Sequence, residues 1–290
     1  MTLQPVVTVN RPLANPFSRV TLGQDVIAYV TPTIKGHRVR MLDLKTGQES
    51  DFFPAERTLP VDHKPLIRFG PHNTRYLAIC SDGVCRIKIA DSRENKIGDV
   101  SIRGVMLAMD IEADGTIYWL GYGYRKNRLT GFIHAVRDDV PLWDKAWPGG
   151  TARSEQTLLL SWHHLLARGN RIFCIVRDVW SGFDLEGNLI EWGRFALSSP
   201  NAGVEHADFI PGTGWLVTES MAPANPGVSR VSEAALKLYL FPDDGRYRQV
   251  VPIPAGSSVL GLRGGRVLLD WNRRLVLAVT RFGKRHGGTP

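Results

Sequence analysis

Short apolar runs recur along the chain, dominated by β-branched and aromatic residues and bounded by Gly, Asp, Asn or Pro. Residues 26–30 (VIAYV), 75–79 (RYLAI), 116–120 (TIYWL), 171–176 (RIFCIV) and 275–279 (LVLAV) are examples. Such runs predict strands, because branched and ring side chains fit a pleated surface and lose rotamer freedom in a helix. Only residues 158–167 (LLLSWHHLLA) compete as a helix, and the Arg168-Gly169-Asn170 turn after them keeps the strand rhythm.

The spacing of tight turns organises these strands. Turn signals precede a strongly apolar run at Gly23-Gln24, His72-Asn73, Asp114-Gly115, Gly169-Asn170, Gly212-Thr213 and Gly264-Gly265, on average about 48 residues apart. That period suits a unit of four short strands, and six units use the whole chain. A second tight turn follows the third strand of a unit, at 45–47, 92–95, 137–139, 186–188 and 243–245. In an up-and-down meander both sets share one face. The longer links then fall on the other face: 31–36, 54–64, 121–127 (GYGYRKN), 143–156, 198–205 and 221–233 (MAPANPGVSRVSE). Long links on a rigid scaffold are where binding is sought first.

The sixth unit lacks chain for an outer strand. Residues 5–9 (PVVTV) are strand-like and precede the first unit, so they are expected to close the circle and remove an exposed sheet edge. With the turns at 42–47 (LDLKTG), 113–118 (ADGTIY) and 183–188 (FDLEGN), the pattern resembles the β-propeller superfamily, with turns similar to those of NHL-like and YncE-like propellers. No repeated Trp-Asp blade ending or sialidase-type Asp box narrows that likeness. The expected fold is all-β, a single β-propeller over 1–290 with six four-stranded blades; seven blades are the alternative. Residues 1–9 form the closing strand and 284–290 a basic tail.

Composition agrees with a turn-rich globular chain: 43% hydrophobic and 22% charged residues with 29 Gly and 18 Pro exclude extended disorder. The formal charge of +8 favours acidic surroundings or partners, yet the basic residues are dispersed apart from Arg273-Arg274 and Lys284-Arg285, so nucleic acid is not favoured. The N-terminus shows no secretory pattern, and no run is long enough for a membrane span or insertion. A cytoplasmic or virion-associated location is expected. Cys80, Cys85 and Cys174 are too few for a disulfide framework. If Asp82-Gly83 is a two-residue turn, Cys80 faces Cys85 at a non-hydrogen-bonded position, and the expectation there is two free thiols.

The sequence contains no nucleophile elbow, Walker loop, HExxH, CxxC or EF-hand pattern, so no catalytic residue, metal ligand or cofactor is assigned. Gly121-Tyr122-Gly123 lacks the third glycine and following helix of a dinucleotide fingerprint. Asp110, His206 and Asp208 are candidate inner-strand polar residues, and His163 and His164 point to opposite faces of a strand. The strongest binding signal is aromatic and basic: Tyr122, Tyr124, Arg125 and Lys126 in one link, with Trp143 and Trp147 in another, are types enriched at interface hot spots. Trp143 and Trp147 equally suit packing between blades.

These features point to a non-catalytic interaction platform that engages a protein partner as a structural or adaptor component of a larger assembly, a viral or phage particle being one version. A competing reading is a propeller hydrolase or lyase acting on a lactone or glycan at the channel mouth. It requires at least three convergent acidic, amide or imidazole groups, or a metal. A third reading, binding of nucleic acid or anionic glycan, rests on net charge.

Overall fold

The computed structural model describes residues 1–9, 20–56, 58–60, 65–93, 95–125, 128–147, 163–199, 202–221, 237–242 and 248–281. They form six four-stranded antiparallel sheets arranged as the blades of a six-bladed β-propeller. Strand β1 (Thr2–Val9) comes first in the chain and belongs to the last blade. Blade 1 is β2 (Val20–Leu22), β3 (Val26–Thr33), β4 (Gly36–Asp43) and β5 (Glu49–Asp51). Blade 2 is β6 (Leu66–Phe69), β7 (Arg75–Ser81), β8 (Val84–Ala90) and β9 (Lys96–Arg103). Blade 3 is β10 (Val105–Ile111), β11 (Ile117–Arg125), β12 (Arg128–Arg137) and β13 (Val140–Ala146). Blade 4 is β14 (His163–Arg168), β15 (Arg171–Val176), β16 (Val179–Phe183) and β17 (Leu189–Arg194). Blade 5 is β18 (Ala202–Ile210), β19 (Gly214–Met221), β20 (Leu238–Phe241) and β21 (Gln249–Val251). Blade 6 is β22 (Ser257–Arg263), β23 (Arg266–Trp271) and β24 (Arg274–Arg281), with β1 as its outer strand.

The expected closure is therefore present. β1 pairs antiparallel with β24 from Thr2 opposite Arg281 to Val9 opposite Leu275, with a bulge between Pro5 and Val7. Leu3, Val7 and Val9 pack on the cores that blade 6 shares with its neighbours, so both chain ends hold the ring. Each blade-to-blade boundary carries its own apolar cluster, such as Phe173, Trp180, Phe195, Trp215 and Phe241 between blades 4 and 5. Trp215 touches Phe173, Trp180, Phe195 and Phe209 with ring centroids 4.7–5.4 Å apart, the spacing of edge and tilted aromatic pairs. Gly214, with φ near 120°, lets β19 approach the Phe241 carbonyl; a Cβ there would lie 2.1 Å from that oxygen.

All six expected inner turns join the first and second strands of a blade. Three of the turns after the third strand are built on aspartates. Asp43, Asp91 and Asp184 each accept backbone N–H groups from the next four residues, which closes the turn without a partner from another strand.

Two expected long links are not loops. β3 and β4 pair through Thr33 and Gly36, leaving Ile34 and Lys35 as the turn. β11 and β12 pair through Arg125 and Arg128, so the whole Gly121–Arg125 stretch is strand. Antiparallel pairing continues wherever the register keeps supplying partners, whatever the glycine content. Hairpins at Asp82-Gly83, Arg177-Asp178 and Asn272-Arg273 add further tight turns to the face first read as long-linked. Links 221–233, 143–156 and 54–64 lie partly, and the 284–290 tail wholly, outside the described residues.

The expectation of free thiols at Cys80 and Cys85 is also corrected. Asp82 and Gly83 both have positive φ, as a two-residue hairpin turn demands, and the cysteines face each other with Cα atoms 4.0 Å apart and a disulfide between them. The non-hydrogen-bonded pairing brings the side chains close enough for the bond. Cys174 is a buried free thiol.

Candidate functional site

The inner strands β2, β6, β10, β14, β18 and β22 surround a central cavity of about 70 Å³. Its wall includes Thr21, Arg68, Asp110, His164, Arg168, His206 and Arg263, with all six blades contributing. The charged residues sit near the ends of their strands, one to four positions before the inner turns. Inner strands run radially adjacent, so side chains that precede these turns converge.

Arg168 is the centre of the network. Its Nη1 donates to Asp110 Oδ2 of blade 3 at 2.8 Å and to the Ala167 carbonyl, while Nε donates to Asp208 Oδ1 of blade 5 at 3.2 Å. The backbone N–H of Ala167 donates to Asp110 Oδ2, and that of Gly265 in blade 6 donates to Asp208 Oδ2, each at 3.0 Å. Gly265 has positive φ, which turns its N–H toward the carboxylate. Arg263 continues the belt from blade 6, donating to the carbonyls of Leu22 in blade 1 and Phe69 in blade 2. Gln24 and Asn73 tie the same two blades.

This belt fixes the protonation states. Asp110 is almost fully buried, which favours its neutral acid, but Arg168, Arg263 and Arg68 outweigh that and hold its carboxyl below the usual range. Burial opposes the charge on Arg168, yet Asp110 and Asp208 lift its pKa above the ordinary value. Arg263 moves the other way, down to about 10, because burial dominates and Arg168 and Arg68 add repulsion to the attraction of Asp110. Even so, it remains a cation at neutral pH.

Two histidines line the cavity deeper along their strands. The His164 Nε2–H donates to the Val204 carbonyl at 2.9 Å, which places the proton on that nitrogen. Burial pushes its pKa down to about 4. His206 follows a bulge in β18, where Thr218 Oγ1 accepts its backbone N–H, and its ring is bonded to the Val259 backbone. Burial lowers its pKa as well. Both rings are neutral at pH 7.

The inner-strand candidates Asp110, His206 and Asp208 are thus brought together. The three arginines were missed, although a basic residue shortly before an inner turn is the legible signal in Arg168-Gly169 and Arg263-Gly264. Among the described residues no group of three or more His, Cys, Asp or Glu is arranged to hold a metal ion.

The aromatic residues singled out in sequence occupy different settings. Tyr122 is 8% exposed and packs on Val105 and Leu107 within blade 3. Trp147 is 7% exposed and fills the boundary of blades 3 and 4 with Tyr118, Leu165 and Phe183. Trp143 lies over Gly187 of blade 4 and donates through Nε1 to the Leu185 carbonyl at 2.7 Å. The backbones of Tyr124 and Arg125 are in β11; Lys126 lies outside the described residues.

The outer edge of the same two blades carries a feature the sequence reading did not single out. On β17, Leu189 (45%), Ile190 (49%) and Trp192 (72%) are exposed, and Leu185 before them and Val140 and Leu142 on β13 are exposed too. The outer strand β5 bears only charged and polar side chains, the usual protection of a sheet edge, and the outer strands β9, β1 and β21 each expose one large apolar side chain, Ile97, Val6 and Val250. In blade 4, Arg171 and Arg194 flank the strip, paired with Glu191 and Asp178.

No protein-family model matches the chain, and no curated protein matches it. Among solved structures it is similar to a protein of unknown function from Bacteroides caccae, with 9% identity, a TM-score of 0.55 and 82% of each chain covered. Two further similarities are to the acylaminoacyl peptidase of Pyrococcus horikoshii (13% identity, TM-score 0.48, 87% of this chain and 42% of that one) and to a chain of the nidogen/laminin complex (10%, 0.42, 61% and 63%). At these identities the likeness concerns the fold alone.

Proposed function

We propose that this propeller is a non-catalytic interaction platform, and that a protein partner covers the apolar strip on the outer edge of blade 4. The observation that carries the reading is Trp192, 72% exposed beside exposed Leu189 and Ile190 on the outer strand of blade 4, whose outer edge has no pairing strand among the described residues. Isolated apolar residues on a surface need no explanation, but a run of three on a sheet edge is an association site or an aggregation hazard. A Trp flanked by Arg is a composition typical of interface anchors. With Arg171 and Arg194 beside the strip and a chain charge of +8, the fitting partner presents an apolar patch with an acidic rim.

The channel supports the non-catalytic half of the reading. General acid–base catalysis needs a carboxyl or imidazole whose proton exchanges near the working pH. Here Asp110 and Asp208 are engaged by Arg168 and by backbone N–H groups, and each imidazole is neutral and hydrogen-bonded to backbone. Those groups join blades.

The test is capture of partners from source material by the tagged full chain. Trp192→Ala and Ile190→Ser are expected to lower capture at least tenfold with melting unchanged, since both side chains are exposed. Undiminished capture by both variants contradicts the location. Turnover of a lactone or glycoside that disappears in Asp110→Asn contradicts the non-catalytic reading.

A further inference from the structure

The cavity wall carries more positive than negative charge. Arg68, Arg168 and Arg263 meet Asp110 in the wall and, through Arg168, Asp208 outside the lining; both imidazoles are neutral, so this network of three guanidiniums and two carboxylates leaves one uncompensated cation. The surplus can be placed on a residue. Arg168 spends its donors on both carboxylates, and Arg263 spends its terminal nitrogens on the Leu22 and Phe69 carbonyls. Among the described residues Arg68 makes a single hydrogen bond, from Nη1 to the carbonyl of its own neighbour Ile67 at 3.0 Å, and has no carboxylate within ion-pair distance.

A guanidinium has five N–H donors and does not lose its proton in a protein, so burial cannot be relieved by neutralisation. For Arg68, burial pulls the pKa below its usual value, Asp110 offsets part of that, and Arg168 adds repulsion. Such a group is stabilised by an anion that reaches its free donors, with the low local dielectric strengthening the contact.

We propose that the central cavity is a binding site for one small monovalent anion, a halide or a carboxylate of formate size, held by the free donors of Arg68. One negative charge balances the network of three guanidiniums and two carboxylates, whereas a divalent oxyanion would overcompensate it. Size sets the same limit. At about 70 Å³ the cavity is a few times the roughly 10–15 Å³ that one water requires on the same measure, which suits a compact ion. Arg263 and the belt around Arg168 keep the surrounding field positive, with part of their donors held by the Leu22 and Phe69 carbonyls and by Asp110 and Asp208.

The experiment is chlorine-35 NMR of the full chain in sodium chloride at constant ionic strength. Wild-type protein is expected to broaden the chloride line, and added formate to reverse that broadening. Arg68→Met should lose at least four-fifths of the excess broadening while keeping the wild-type circular dichroism, and Arg68→Lys should retain an intermediate share. No excess broadening, broadening insensitive to formate, or full broadening in Arg68→Met overturns the proposal. If Arg68→Met does not fold, Arg68→Lys and the formate competition decide: wild-type broadening in the lysine variant that formate leaves unchanged counts against the site.

Discussion

Arg168 and Asp208 meet across the boundary of blades 4 and 5, Nε to Oδ1 at 3.2 Å, and the same guanidinium holds Asp110 of blade 3 at 2.8 Å. One side chain thereby joins three blades at the end of the channel where the inner turns lie. Replacing it leaves two buried carboxylates without their cation, and breaking a buried pair from one side costs about 3–5 kcal/mol. Arg168→Met should therefore lower the chemical-denaturation free energy by about that amount. Adding Asp110→Asn and Asp208→Asn should restore part of it, because the uncompensated charges go with the arginine. A single variant as stable as wild type contradicts the structural role of the belt.

Closure by β1 places residues 1–9 in the last blade. Deleting them exposes the β24 edge and removes Leu3, Val7 and Val9 from two cores. Three partly buried aliphatic side chains and a lost ladder amount to roughly 5 kcal/mol, or about 10 °C in melting temperature for a chain of this size. Differential scanning calorimetry of the truncated chain checks this, and an unchanged melting temperature refutes the closure.

The hairpin disulfide is measurable by thiol counting. In denaturant without reductant, one thiol, that of Cys174, should react, and three after reduction. The closed loop is short, so its loss should cost only about 2 kcal/mol. Three reactive thiols before reduction contradict the bond.

Acid sensitivity should have two stages. The His164 pKa is lowered in the fold to about 4 from an ordinary 6.5, and that of His206 is lowered too. The unfolded chain therefore binds more protons in this range, and stability is fully present above about pH 6.5 and falls as the pH drops toward 4. His164 alone accounts for up to about 3 kcal/mol. The lowered carboxyls, Asp110 among them, act in a second stage below about pH 4, where their protonation favours the unfolded chain. Urea unfolding at pH 7.5 and 5 checks the first stage. His164→Gln should flatten the difference between the two, and an equal difference in both proteins contradicts the assignment.

What was legible in sequence follows from the range of the interactions. The blades could be read because each is a local meander whose Gly23, Asn73, Gly115 and Gly169 turns recur at a nearly constant period. The closing strand was legible through arithmetic, since the last unit ran out of chain. Strand lengths beyond Tyr122 or Thr31 were not, because a hairpin ends where register ends, and glycine content does not decide that. The channel needed three dimensions: Arg168 lies 58 positions from Asp110 and 40 from Asp208, and they meet only through the ring. The strip on β17 was hidden because a Trp in a strand reads as buried unless the strand is known to be the outer one, as Trp192 and the buried Trp215 illustrate.

The central claim, that a protein partner covers the blade 4 edge, is tested most directly by hydrogen exchange of the chain, free and in its native assembly. The account predicts slowed exchange in β17, over residues 189–194, on assembly, with the inner turns beside Arg168 and Gly265 unchanged. Protection confined to those inner turns, or none on β17, contradicts it.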